Sequence, residues 1–379
     1  MEPIHIVHWA PQSGSETGTG RAIDTWAVAS SDANTKISVV GLNKVSLGEG
    51  ENPCFIGGKV RMPKLRKIFR DIFHDADAVH LHGCFDPSLS YVLVLVIFEK
   101  IKRKLHHKNL EIILTPHGTL SDYVFSYNPV KKFIYWNLID RNIFRFLDSI
   151  VCNTPIERQQ IELRLKKISC HTVPLVIDSD SAKNLTSIGK EASNSVPILC
   201  TVGRYEVMIK GLDIIIQAVV ALNRGGTQVK LRCIGYDRGG GVAALQKLVD
   251  DLDARDYVDC TGPKYGEEKD QLISESDIFC MPSRYESFSY SLMEGLASGL
   301  PVLVGSGACV TSYLNAEQKK LLVVEPAIEE WIKAIQNVLT DRESNRNCAG
   351  KAFAELQVKC SRSNVGDALR SIYRNLILK

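Results

Sequence analysis

The 379-residue sequence has no apolar run longer than Tyr91–Phe98, eight residues, whereas a bilayer-spanning helix needs about 20. No membrane-crossing helix is expected. Its eleven cysteines, scattered from Cys54 to Cys360, include no Cys-x-x-Cys pair. An odd, unclustered set argues against a disulfide framework and against zinc, and fits reduced thiols in a cytoplasmic protein. Net charge is only +3, without the basic balance of a nucleic-acid-binding chain. The opening Pro3–His8 has no basic leader region and reads as a first strand, so a cytoplasmic location is the expectation.

What is present is an ordinary globular composition, 45% hydrophobic and 23% charged, at a length that suggests two domains. The charge is uneven: +5 over residues 1–177 and −2 over the rest. The excess sits in Lys64, Arg66, Lys67 and Arg70, in Lys100, Lys102, Arg103 and Lys104, and in Lys131, Lys132, Arg141 and Arg145. Apolar residues alternate with these clusters at helical spacing. Such segments either present a solvated face over a core stripe or lie on anionic lipid.

Strand and helix patterns alternate along the chain. Strands are expected at Ile4–His8, Ile37–Val40, Ala78–Leu81, Glu111–Thr115, Ser149–Cys152 and Thr172–Pro174. Helical segments fall between them, near 20–29, 65–74, 89–104, 131–146 and 156–166. Residues 178–196 are polar and aperiodic, a linker. A second alternation follows over 197–360, then a last helix within 361–379. Two βα series predict an α/β chain of two doubly wound, Rossmann-like domains with ligands in the cleft between them.

The densest chemistry lies between Glu286 and Val304: Glu-Ser-Phe-Ser-Tyr-Ser-Leu-Met-Glu, then Gly-Leu-Ala-Ser-Gly-Leu-Pro-Val-Leu-Val. One acid falls in a loop and the other, eight positions on, in the opening turns of an apolar helix. Unpaired N–H groups and the dipole at a helix start favour a pyrophosphate, and two carboxylates beside it can accept hydrogen bonds from sugar hydroxyls. Upstream, Thr201-Val-Gly-Arg204 and Lys210-Gly211 supply two cations after a strand. In the first half Thr115-Pro-His117-Gly118-Thr119 puts an imidazole at a strand end, while His80 and His82 share one sheet face. With no spaced fourth ligand, these histidines are not read as a metal site. Gln12–Gly20 is a glycine-rich loop before the first helix; it has no Gly-Lys-Ser/Thr, and Ile23 occupies the third position of the dinucleotide fingerprint.

The Glu286–Glu294 stretch resembles the E-x7-E signature of retaining glycosyltransferases of the GT-B fold, the large family 4, most strongly over 197–304. The resemblance implies that Arg204 and Lys210 grip a donor diphosphate, replacing a metal. It implies further that His117 and Glu286 act at the donor sugar, and that Gly18, Gly20, Phe288, Ser289 and Glu294 help hold the donor. Thr154 and Glu157 resemble the start of the family's helix after Cys152, and the final helix would pack back on the first domain. Two departures stand out: Pro174-Leu-Val-Ile-Asp178 lacks the usual Asn-Gly, and Ser289 replaces a glycine. The implied reaction moves a hexose from a UDP- or GDP-type sugar, with no cofactor, to a glycan or polyprenyl-linked acceptor in surface polysaccharide synthesis. That enzyme would be cytoplasmic or peripheral on the inner membrane face. Rival readings are a sugar-nucleotide epimerase, a manganese-dependent transferase using Asp178-Ser-Asp180, and a binding protein with a dead site.

Overall fold

A computed structural model describes residues 3–11, 17–41, 54–56, 73–126, 129–177 and 195–378. Loop residues 12–16, the basic cluster Lys64–Arg70 with most of the helix expected at 65–74, and residues 178–194 with Asp178 and Asp180 lie outside that set. The chain forms two compact units, Met1–Val176 with Lys359–Lys379, and Ile177–Val358.

The first unit is built on seven parallel strands: β1 (Ile4–Ala10), β2 (Thr35–Gly41), β3 (Cys54–Ile56), β4 (Ala78–His82), β5 (Glu111–Thr115), β6 (Ser149–Cys152) and β7 (Ser169–Thr172). Their order is β3-β2-β1-β4-β5-β6-β7. The second carries β8 (Ile198–Val202), β9 (Lys230–Ile234), β10 (Val258–Gly262), β11 (Ile278–Met281), β12 (Val302–Gly305) and β13 (Val323–Val324), in the order β10-β9-β8-β11-β12-β13. Both are doubly wound, and both reverse direction beside their first strand, between β1 and β4 and between β8 and β11. In such sheets the crevice for a ligand opens at the carboxyl ends of the strands flanking that reversal.

Near-continuous apolar strands reflect burial on both faces; β1 is buried along its full length. The helix Leu212–Arg224 buries Leu212, Ile214, Ile215, Ile216, Val219 and Val220 on the second sheet. The helix Arg362–Ile377 packs on Gly18–Ser30 in the first unit: Gly366 lies against the Ala29 carbonyl, and Arg370 Nη1 donates to that oxygen at 2.7 Å.

Two expected elements are corrected. β7 lies before the expected Thr172–Pro174 strand, because Pro174 has no N–H to extend a ladder. The continuous helix expected at 131–146 is instead Pro129–Tyr135, a π turn at Trp136–Asp140, and Arg141–Phe144. There Asp140 is buried, accepting from Phe85 N and Ser90 Oγ, both at 3.3 Å.

Gly211 sits at φ +66°, and a Cβ there would stand 1.9 Å from the Pro282 carbonyl oxygen. Gly350, in the helix Arg342–Lys359, has nothing within 4 Å of its Cβ position. Gly211→Ala should therefore destabilise the protein by about 1–3 kcal/mol or more, and Gly350→Ala should stabilise it by about 0.5–1 kcal/mol. Urea midpoints of the two variants check both signs.

Candidate active site

In the second unit, Gly203–Tyr205 follow β8, and Pro282 and Ser283 follow β11. A recess between them is lined by Gly203, Arg204, Tyr205, Lys210, Met281 and Ser283. Lys210 ends the short helix Val207–Lys210, whose final turn closes on Gly211. Arg284 holds this helix beside the β11 loop: its backbone N donates to Ile209 O at 2.9 Å, and its guanidinium meets both Asp213 carboxylate oxygens at 2.6 Å. Lys210 Nζ then lies in contact with Glu286 Oε2. The Glu286 backbone is fixed by its N–H to Gly307 O and its C=O from Cys309 N, at 3.2 and 2.8 Å.

Arg204 pairs with Glu206 at 3.2 Å, and Glu294 with Lys269 Nζ at 2.7 Å. Each of these four cations and carboxylates remains partly exposed. An ammonium has three donors and a guanidinium five, so an arriving diphosphate finds donors left on Lys210 and Arg204. Phe288 is only 1% exposed and packs edge-on to Tyr313, so its ring belongs to the core and not to a ligand surface.

Ser289 stands at φ +88°, a conformation that glycine adopts freely. Its hydroxyl offsets part of the strain by capping the helix Tyr290–Ala297, accepting from Leu292 N at 3.3 Å, and by pairing with Ser291 Oγ at 2.9 Å. A serine thus keeps the backbone shape that its usual glycine would give.

In the first unit, Gly18 and Gly20 open the helix Gly18–Ser30, where Thr17 caps by accepting from Gly20 N at 3.0 Å. His117 also has a left-handed backbone, φ +51°. Register brings further histidines to it: His8 on β1 aligns with His80 on β4, and His82 with Thr115 on β5. His82 Nδ1 lies 3.0 Å from His117 Nε2, and His117 Nδ1 lies 3.1 Å from Asn153 Oδ1. Trp26 covers the group, its ring 6.0 Å from that of His117. Below, the buried Glu157 carboxylate accepts from Gly118 N and Asn153 N at 2.5 and 2.7 Å, and burial pushes its pKa up to about 7.

Burial pushes the histidines the other way: His8 to about 3, His117 to about 4, and His80 and His82 well below their ordinary value. Sequence reasoning placed His80 and His82 on one face but missed His8, Asn153, Lys269 and Glu206, whose partners are remote in sequence or carry no spacing signal.

Residues 186–354 match the family described as "Glycosyl transferases group 1". That segment is similar to group 1 glycosyltransferases. The chain is 26% identical over 241 residues to D-inositol 3-phosphate glycosyltransferase of Saccharomonospora viridis, covering 60% of this chain and 55% of that protein. It is 26% identical over 231 residues to the lipopolysaccharide core biosynthesis glycosyltransferase LpsE of Rhizobium meliloti, covering 59% and 64%. The chain thus spans about half to two thirds of the length of the curated relatives it matches. Anabaena HepE, solved in complex with UDP and glucose, superposes with TM-score 0.71 at 15% identity, covering 98% of this chain and 100% of that one. The chain has the GT-B fold.

Four imidazoles held neutral make the first unit sensitive to acid. Their folded pKa values lie below the unfolded value of about 6.5, so the unfolded chain binds more protons once pH falls below that point. Glu157 and Asp140, which burial pushes up to about 7 and about 6, work oppositely, but as two protons against four. Stability should fall as pH drops from about 6.5 toward 4, with a slope of about 1.4 kcal/mol per pH unit for each ring. Urea unfolding at pH 7, 6 and 5 measures it; a midpoint unchanged or rising on acidification would mean the rings are charged in the fold.

Proposed function

We propose that the protein is a retaining, metal-independent glycosyltransferase that moves a hexose from a nucleoside-diphosphate sugar to a glycan, in lipid-linked form, during surface polysaccharide synthesis. The observation that carries this reading is the β8–β11 recess, where Arg204 and Lys210 stand together with Glu286 on the Lys210 ammonium. As the glycosidic bond breaks, negative charge gathers on the departing diphosphate, and two fixed cations favour that state over the bound donor. Arg204 offers a planar fork and Lys210 a point charge. Glu286, touching Lys210, is placed where the sugar would join the diphosphate, and Glu294 accepts from the nucleoside. The acceptor hydroxyl attacks from the face the leaving group vacates, through an oxocarbenium-like state. UDP is the first donor base to test, since HepE binds UDP, and the likeness to LpsE favours a polysaccharide acceptor.

The experiment mixes the protein with UDP-, GDP- and ADP-sugars and a lipid-linked acceptor, with and without EDTA, and follows nucleoside diphosphate release. Glu286→Gln should keep the fold and lower turnover by about 10²–10³, while Arg204→Ala and Lys210→Ala should each weaken binding of the free diphosphate by about 1.5–3 kcal/mol. Turnover of Glu286→Gln within a few-fold of the parent removes the carboxylate from the site. Loss of activity in EDTA, restored by manganese, replaces the two-cation account with a metal-dependent one.

The first unit would bring the enzyme to anionic lipid. Phe98 and Leu105, at the end of the helix Pro87–Lys104, are 66% and 77% exposed, and Val130, Phe133 and Leu138 are 69%, 66% and 71% exposed. Lys102, Lys104, Lys131, Arg141 and Arg145 flank them in sequence. Trp136 is buried and cannot insert, Lys100 is held by Asp148, and Arg103 is turned to backbone carbonyls of Phe73 and Ala76. No helix among the described residues is long and apolar enough to cross a membrane. Vesicles containing anionic lipid should therefore pellet the protein at low salt and release it at high salt, each basic contact being worth about 1 kcal/mol. A Phe133→Ser, Leu138→Ser double variant should pellet less at either salt, and equal pelleting with neutral vesicles would leave these residues as ordinary surface.

A further inference from the structure

His8, His80, His82 and His117 form a single chain of hydrogen bonds. Thr115 Oγ1 lies 2.7 Å from His80 Nε2, and His80 Nδ1 lies 2.9 Å from the Tyr373 hydroxyl. That hydroxyl lies 3.3 Å from His8 Nε2, and His8 Nδ1 lies 2.9 Å from His82 Nε2. The line then passes from His82 to His117 and ends at Asn153 Oδ1. All eight ring nitrogens have partners.

One end sets the direction of the whole. Asn153 Oδ1 can only accept, so His117 carries its proton on Nδ1 and accepts at Nε2. His82 must then donate from Nδ1 and accept at Nε2, which makes His8 donate from Nδ1 in turn. His8 Nε2 is left to accept the Tyr373 proton, the Tyr373 oxygen accepts from His80 Nδ1, and His80 Nε2 accepts from Thr115. Every imidazole is the neutral Nδ1–H form.

These three histidines could otherwise hold a cation, since one ring nitrogen from each of His8, His80 and His82 falls within 4.8 Å of the others. Two of the three ring pairs are stacked, however, His80 on His82 at 4.5 Å and His8 on His82 at 5.1 Å. Every nitrogen of these rings is already engaged by one of the partners named.

We propose that Asn153, His82, His8 and Tyr373 are positioning residues: Asn153 fixes the tautomer of His117, and the line through His82, His8 and Tyr373 holds its aim and couples the helix Arg362–Ile377 to the His117 loop. The link to turnover rests on the reading of His117 as part of the transfer site. Phenylalanine at 373 would fill the same buried volume but leave His8 Nε2 without its donor, loosening His8 and His82, whereas leucine at 153 would free the tautomer of His117 itself.

The test combines ¹⁵N NMR of the imidazoles in the full chain with steady-state kinetics of Tyr373→Phe and Asn153→Leu. The parent should show four neutral Nδ1–H rings. Tyr373→Phe should mix the tautomers of His8 and His82, and Asn153→Leu that of His117, each lowering kcat about tenfold, the lower range for loss of an orienting partner, with KM for the donor within about twofold. Asn153→Asp, which still accepts, should restore the His117 tautomer, and either variant suffices should the other not fold. Ring nitrogens that do not respond overturn the proposal, as does stoichiometric metal that survives purification with the rings as ligands. A shift in tautomers with unchanged kcat also overturns it, because the chain then orients a ring that turnover does not use. Absence of any transfer by the parent would instead sink the transferase reading, leaving the NMR arm to decide the hydrogen-bonded chain.

Discussion

The bidentate Arg284–Asp213 pair sets the geometry of the second unit. It joins the segment after β11 to the helix that follows Gly211, across residues 71 positions apart in sequence. Its side chains are 24% and 15% exposed, well shielded from the screening that makes most surface pairs worth little. The same arginine's backbone N–H holds Ile209, so Lys210 has one place to be, and Glu286 reaches it from the loop that Arg284 begins. Without that clamp, the two charges would be flexible side chains on separate loops.

The two units handle polar groups in opposite ways. Around its recess the second keeps Arg204, Lys210 and Glu286 partly open to water, where a ligand can compete for either member of a pair. The first buries four imidazoles and the Glu157 and Asp140 carboxyls, and satisfies them by hydrogen bonds, the arrangement a low dielectric requires. One unit is therefore suited to receiving charge and the other to holding a shape.

Much of this was readable from residues alone. β5 and β6 have the expected bounds because each is a short, largely apolar run with clear punctuation. Glu286, Lys210 and Arg204 stood out through spacing and strand-end position. The Lys269–Glu294 pair did not, since two partly buried ions 25 positions apart leave no local trace. His8 was read only as part of a strand. Its meeting with His80 is a matter of register between β1 and β4, and periodicity gives facing but not register. The π turn at Trp136–Asp140 was hidden for a similar reason: the pull on Asp140 comes from Phe85 and Ser90, on another element.

The packing of Arg362–Ile377 against Gly18–Ser30 also governs the order of events on the ribosome. Domains generally fold as units while the chain emerges, and all of 177–358 emerges before Tyr373 does. The second unit can thus reach its native state while the first still waits for its last helix, with the Trp26 side of its sheet uncovered and His8 and His80 lacking the hydroxyl between them. A protein arranged this way finishes its earliest-made half last.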